Sequence, residues 1–232
     1  MSKILWIADG GCAAGFGRVT HAIGERLVSK YGDEVHVLAI NYRGDPYPTN
    51  LHLWPPTLQR REDTYGLSRV IELLNKLQPD AVVMLNDPQI LNKYLFENRF
   101  DPLKVLTRFP ILAYIPVDGY DLPKLYDPVF AATKPVAMSK FGQAQIVGSE
   151  LVYHGVDSDQ FWPVSSERPI VLGDVRITSK RQAKEVVGLP KDEFIVGRID
   201  RNSGRKAYAA LWKALQPVMK RHSDLYAYFH CK

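Results

Sequence analysis

Short apolar runs alternate with segments of helical period along nearly the whole chain, and this alternation narrows the possible folds more than any other feature. Strand-like runs fall at residues 4–8, 35–40, 81–85, 111–115, 136–138 and 151–153, with helix-like segments at 17–29, 67–77, 89–98, 122–132 and 140–148 between them. Strands of four to eight apolar residues, each followed by a helix, build a parallel sheet covered by helices on both faces. In the second helical segment Val70, Leu73, Leu74 and Leu77 recur at i, i+3, i+4 and i+7, so they form the stripe that packs on the sheet and belong to the core. Residues 43–56 are rich in Pro, Tyr and Asn and break every period, which reads as a long excursion or an irregular edge.

The expected class is therefore α/β, a Rossmann-like N-terminal domain with a parallel sheet over residues 1–163, followed by the beginning of a second Rossmann-like domain over 164–232. Phe161, Trp162 and Pro163 close the first domain, and Ser165, Ser166 and Pro169 mark a linker. Beyond it a polar helix at 178–187 stops at Gly188-Leu189-Pro190. A strand at 194–197, a cationic turn, a helix at 207–221 and a strand at 225–230 follow, the opening βα unit of that second domain. Because Lys232 lies just past that strand, the second domain reads as unfinished and the chain as C-terminally truncated.

Candidate chemistry concentrates in two glycine turns. In the second domain, Val196-Gly197-Arg198 ends a buried strand, and Asn202-Ser203-Gly204-Arg205-Lys206 leads into the helix. Backbone N–H groups, a helix N-terminus and two cations around one point suit a diphosphate. In the first domain, Asp9-Gly10-Gly11-Cys12-Ala13-Ala14-Gly15-Phe16-Gly17-Arg18 joins the first strand to the first helix. Gly15 and Gly17 let the backbone approach a ligand, and the helix dipole favours an anion there. The alternative is a glycine turn that only joins strand to helix. As a dinucleotide fingerprint the loop fails: Thr20 stands where the third glycine belongs, and Asn41 replaces the acid after the second strand.

Two carboxylate positions are ambiguous by residue type alone. Asp118, in Tyr114-Ile115-Pro116-Val117-Asp118-Gly119, sits where a sheet strand ends and either orients a ligand hydroxyl or serves a turn or helix cap. Asp157 and Asp159 flank Ser158, and the turn-forming role outweighs a metal site.

Composition excludes several classes. At 46% hydrophobic and 24% charged the chain is an ordinary globular one, and no apolar run approaches the roughly 20 residues of a membrane span. The start lacks the pattern of a signal peptide, which points to the cytoplasm. Cys12 and Cys231 show no metal-ligand spacing, so neither a disulfide framework nor a zinc site is expected. A net charge of +5 suits an anionic partner. The cations are dispersed over Arg60–Arg61, Lys180–Lys184 and Arg198–Lys206 rather than gathered in a nucleic-acid tail, so nucleic acid is not required.

Several motifs recur in order: the glycine loop after the first strand; Val136-Ala137-Met138-Ser139-Lys140-Phe141-Gly142; His154-Gly155-Val156-Asp157 followed by Phe161-Trp162-Pro163; and Val196-Gly197-Arg198 with Arg205-Lys206. Together they resemble the GT-B glycosyltransferases of family 4, retaining and metal-independent enzymes that use nucleotide-activated sugars. The resemblance spans the N-terminal domain and the start of the C-terminal domain of that family. It implies a nucleotide-sugar donor held by the second domain, an acceptor of unknown identity held mainly by the first, and no metal or other cofactor. Arg198 and Lys206 match the Arg and Lys that contact the donor diphosphate, with Ser203 and Arg205 competing for the lysine's role and Gly197 in the same turn. Gly15 and Gly17 match the loop that lies against the donor, with Arg18 as a further cation. Asp118 matches a position that many members precede with His, where this chain has Val117. The family's paired glutamates would lie beyond Lys232, so the fragment alone is expected to be inactive.

Two other classes fit some of these residues. A non-catalytic interaction module would use the open edge of an incomplete second sheet to pair with another copy, giving a homo-oligomer. A nicotinamide-dependent oxidoreductase is disfavoured by Thr20 and Asn41.

Overall fold

The computed structural model describes residues 1–56, 63–97 and 107–231. It divides into two compact units, Met1–Gly155 and Val156–Lys232, while the boundary read from linker composition lies at 163.

The first unit is a seven-stranded sheet in the order β3-β2-β1-β4-β5-β6-β7. Its strands are β1 (Lys3–Asp9), β2 (Glu34–Ile40), β3 (His52–Trp54), β4 (Ala81–Leu85), β5 (Ile111–Ile115), β6 (Lys134–Ala137) and β7 (Glu150–Leu151). Every neighbouring pair is parallel. The chain moves outward from β1 through β2 to β3, then returns past β1 to β4 and continues the other way. The turns after β1 and β4 therefore flank a topological switch point, where open α/β sheets bind ligands.

Side-chain alternation sorts the strand residues between two faces. Leu5, Ile7, Leu38, Ile40, Val82, Met84, Ala113 and Ile115 join one buried cluster, while Trp6, Ala8, Val35, Val37, Ala39, Leu85 and Tyr114 join the other. Helix α2 (Arg69–Leu77) packs on the first cluster through Val70, Leu73, Leu74 and Leu77, the stripe expected from their spacing. Burial of each of those leucines contributes about 2 kcal/mol. Helix α3 (Pro88–Asn92) and the π-helical turn Lys93–Glu97 add Ile90, Leu91, Tyr94 and Leu95 to the same side. Residue 98, the end expected for this helix, lies outside the described residues, as do Arg60 and Arg61. On the opposite face, helix α1 (Gly15–Tyr31) packs through Phe16, Val19, Ile23, Leu27 and Val28 and is the sole helix there among the described residues. It ends on Gly32 at φ 70°, whose N–H reaches the carbonyl of Val28 while that of Asp33 reaches Leu27.

The helix expected over 122–132 is broken. A 3₁₀ turn, Lys124–Tyr126, precedes α4 (Asp127–Ala132), with Pro123 before the turn and a proline in the first turn of the helix. Helix α5 (Lys140–Gln145) stops short of 148, where Gly148 turns with φ 80°. β3 lies within the irregular stretch at 43–56; three residues are too few to show an alternation.

The second unit opens with a hairpin, β8 (Ile170–Leu172) against β9 (Val175–Ile177), closed over Gly173 at φ 59°. It occupies the segment that composition assigns to the linker and domain start. Helix α6 (Lys180–Val186) is capped by Ser179 and terminates at Gly188, φ 74°. Then β10 (Phe194–Asp200) pairs in parallel with β11 (Leu225–Cys231) from Phe194 opposite Leu225 to Asp200 opposite Cys231. Helix α7 (Tyr208–Met219) joins them and has no buried residue. Both units are α/β, the first a Rossmann-like parallel sheet and the second a hairpin followed by a βαβ unit. No helix among the described residues is long and apolar enough to cross a membrane.

Candidate functional site

In the first unit the loop from Asp9 to Gly15 is built by close approach. A Cβ at Gly10 would stand 2.4 Å from Ala39 Cβ, and one at Gly11 would strike the ring of Tyr42. A Cβ at Gly17 would meet the Cys12 carbonyl oxygen at 2.6 Å, so Gly17 is required for the loop to fold onto the start of α1. Nothing lies within 4 Å of a Cβ at Gly15, which opens the helix and leaves its backbone accessible. Helix α1 thus starts at Gly15 rather than Gly17, and Arg18, on its first turn, is exposed.

Two side chains outside the predicted set hold this loop. His21 Nε2 donates to the Gly10 carbonyl at 2.7 Å, while its Nδ1 lies 3.1 Å from Glu25 Oε1 and 3.2 Å from Thr49 Oγ1. Its ring also stacks on Tyr47 at 4.9 Å. Asn41 adopts φ 62° and donates from Nδ2 to Asp9 Oδ1 at 2.9 Å, tying the ends of β1 and β2 together. The His-x-x-x-Glu spacing on α1 was the one available sign of the first; nothing local announces the second.

Other motif residues line the same carboxyl edge of the sheet. Asp118 lies exposed in the turn after β5, and the next helix, α4, begins at Asp127, too far on for Asp118 or Asp121 to cap it. Ser139 Oγ accepts the Gly142 N–H at 3.0 Å and caps α5. His154 meets Tyr114 edge-on at 5.2 Å, and burial pushes its pKa down. In the second unit, Asp157 Oδ1 accepts the Asp159 N–H at 3.0 Å, the turn geometry expected of that pair.

The cationic turn of the second unit brings Arg198 and Lys206 together. Arg198 and Asp200 are two apart on β10 and therefore share a face. Lys206 Nζ reaches Asp200 Oδ2 at 2.9 Å, and Arg198 Nη2 lies 3.9 Å from the same oxygen. The Arg198 guanidinium sits 4.8 Å from the ring centre of Tyr208, whose hydroxyl donates to the Asp200 carbonyl at 2.9 Å. The 3₁₀ turn Gly204–Lys206 delivers the lysine, and Ala207 at φ 48° redirects the chain into α7. Lys206 is half-buried here, whereas Ser203 and Arg205 are exposed. The hydrogen bond from Lys206, before any other cause, holds the Asp200 carboxyl below its usual range. Asp200 escaped the sequence reading because an acid beside two cations has no signature of its own.

One further cluster has the residue types of a metal centre. Ligand atoms of Glu34, His36 and His52 lie within 4.8 Å of one another at the β2–β3 edge. His36 Nδ1, however, accepts the indole N–H of Trp54 at 3.1 Å, and indole nitrogen can only donate. The imidazole proton is thereby placed on Nε2, which donates to Glu34 Oε1 at 2.7 Å. With Nε2 protonated, His36 has no lone pair to offer, and the donor set does not suit a divalent ion.

No family model matches the sequence, and no curated protein is significantly similar to it. Among solved structures, the chain is similar to HepE of Anabaena, crystallised in complex with UDP-glucose, with a TM-score of 0.59 and 13% identity over 99% of this chain and 60% of that one. It is likewise similar to a glycosyltransferase from Rickettsia africae ESF-5, with a TM-score of 0.60 and 15% identity over 98% of this chain and 60% of the other. The chain shares the fold of these two structures. It spans 60% of the length of each of these two structures. Within that fold the glycine loop of unit one follows the carboxyl end of β1, and in unit two Arg198 lies on β10 with the turn to Lys206 beyond the end of that strand.

Proposed function

We propose that this chain is the acceptor-side domain and the first part of the donor domain of a glycosyltransferase that moves a sugar from a nucleotide-sugar to an acceptor, with retention and without a metal. The observation that carries the reading is the convergence of Arg198 and Lys206 on one carboxylate oxygen, at 3.9 and 2.9 Å. Two cations brought to one anionic point form a diphosphate-binding geometry. The likeness to a Rickettsia glycosyltransferase and to a protein crystallised with UDP-glucose supports the same ligand class. In this reading Arg198 and Lys206 stabilise the leaving diphosphate as the glycosidic bond breaks. Gly197, Ser203 and Arg205 supply the rest of the donor turn. In the first unit Gly15, Gly17 and Arg18 supply an anion-binding loop at the start of α1, and Asp118 orients a hydroxyl.

Calorimetric titration with UDP-glucose and GDP-sugars tests it. Binding to one of them, weakened about 10- to 100-fold in Arg198→Ala and in Lys206→Ala, is expected for the loss of a charge-assisted contact. Absence of binding across the panel, or binding indifferent to both substitutions, would refute the assignment.

A second reading, an interaction module, is favoured by one observation: in the second unit Phe194 is 66% and Ile199 76% exposed, along the strand that would pair. Size-exclusion chromatography separates the two, since a concentration-independent monomer removes the module.

A further inference from the structure

Asp200 belongs to neither the glycine turn nor the cation pair that the motif identifies, yet its carboxylate faces both cations. Its two carboxylate oxygens are divided between tasks. Oδ1 accepts the backbone N–H of Arg201 at 2.9 Å, which fixes the rotamer. Oδ2 accepts Lys206 Nζ at 2.9 Å and faces Arg198 Nη2 at 3.9 Å. The Tyr208 hydroxyl holds the Asp200 carbonyl from the far side of the turn, and the same ring lies beneath Arg198. A single oxyanion thus occupies the point on which both cations converge.

We propose that Asp200 is the resident anion of the Arg198–Lys206 pair, and that a diphosphate binds by exchange for it. The proposal rests on the donor-site reading above and adds the residue that sets the affinity of that site. While the site is empty, the carboxylate keeps both cations folded onto β10 rather than extended into solvent. A diphosphate carries more charge than one carboxylate and offers oxygens to both cations at once, so it takes over Lys206 Nζ. Asp200 remains anchored through Oδ1 to Arg201. The affinity observed is then the intrinsic affinity reduced by the cost of releasing Lys206 from Asp200. The residue acts through Lys206 and is a positioning residue, not a catalytic one.

The test is a double-mutant cycle read by calorimetry with inorganic pyrophosphate on the full chain, using Asp200→Asn, Lys206→Ala and the pair together. Exchange predicts that Asp200→Asn tightens pyrophosphate by about tenfold at low salt, with the gain shrinking as salt rises. It also predicts that the gain disappears in the Lys206→Ala background, where no lysine remains to be released. A gain of equal size in both backgrounds would mean repulsion at a distance and would overturn the proposal. So would weaker binding in Asp200→Asn, because the carboxylate would then be part of the bound state. Pyrophosphate that binds the unaltered chain and is lost in Arg198→Ala, with Asp200→Asn indifferent, sinks this inference alone. Pyrophosphate bound by no variant sinks the donor-site reading with it. Should Asp200→Asn fail to fold, the carboxyl carbon resonance of Asp200 in the unaltered chain decides: release of Lys206 shifts it on saturation with pyrophosphate, and an unmoved resonance overturns the proposal.

Discussion

The indole N–H of Trp54 donates to Nδ1 of His36 across 3.1 Å, and this one bond decides the chemistry of the β2–β3 edge. It fixes a neutral tautomer whose Nε2 proton serves the Glu34 carboxylate. Burial pushes the His36 pKa below its ordinary value of 6.5, against the pull of the Glu34 hydrogen bond, while that same bond lowers the pKa of Glu34.

Stability should fall in acid. The folded state resists protonating His36, and burial acts in the same direction on His154, whereas the unfolded chain takes up both protons near 6.5. Their contribution is complete above that value and is lost as pH falls through the lower folded-state pKa. Thermal melts between pH 8 and 5 should show a decline beginning below about 6.5. The decline should be shallower in His36→Gln, and an unchanged slope would disprove the linkage to His36.

Zinc discriminates the tautomer argument. In the unaltered chain Zn²⁺ should leave the melting temperature unchanged. In Trp54→Phe, Nδ1 is free to carry the proton and Nε2 to coordinate beside Glu34 and His52. That variant, although weakened by about 1 kcal/mol through the lost hydrogen bond, should gain stability with Zn²⁺. Equal zinc responses in the two proteins would remove the premise.

Gly17 and Gly15 should respond in opposite ways to alanine. Gly17→Ala sets a methyl 2.6 Å from a backbone oxygen that cannot yield without moving the loop, and should cost about 1–3 kcal/mol in denaturant melts. Gly15→Ala meets nothing within 4 Å, so stability should equal or exceed that of the parent. Under the proposed function its effect should fall on nucleotide-sugar affinity instead, and undiminished binding would remove Gly15 from the proposed site.

Ser139→Ala removes the acceptor that satisfies the Gly142 N–H at the start of α5. A loss of about 1 kcal/mol is expected, with Ser139→Asp restoring most of it. Urea melts of the three proteins check it, and a neutral alanine variant would show that the cap contributes nothing.

The strands and the α2 core stripe were legible in the chain because burial on both faces demands continuous aliphatic runs, as in 4–8 and 111–115, and a helix on a sheet demands the spacing of Val70, Leu73, Leu74 and Leu77. β3 and the β8–β9 hairpin were not legible, because three-residue strands obtain their order from neighbours rather than from a pattern of their own. The division of labour in the candidate sites follows the same line. Sequence determined that glycines must follow β1 and that cations must follow β10, since close approach and charge are properties of residue type. Which cation joins Arg198, that Asp200 stands between them, and that Trp54 denies His36 to a metal were decided by tertiary structure alone. Those outcomes depend on the direction and reach of side chains brought together by folding, and no local pattern encodes a distance.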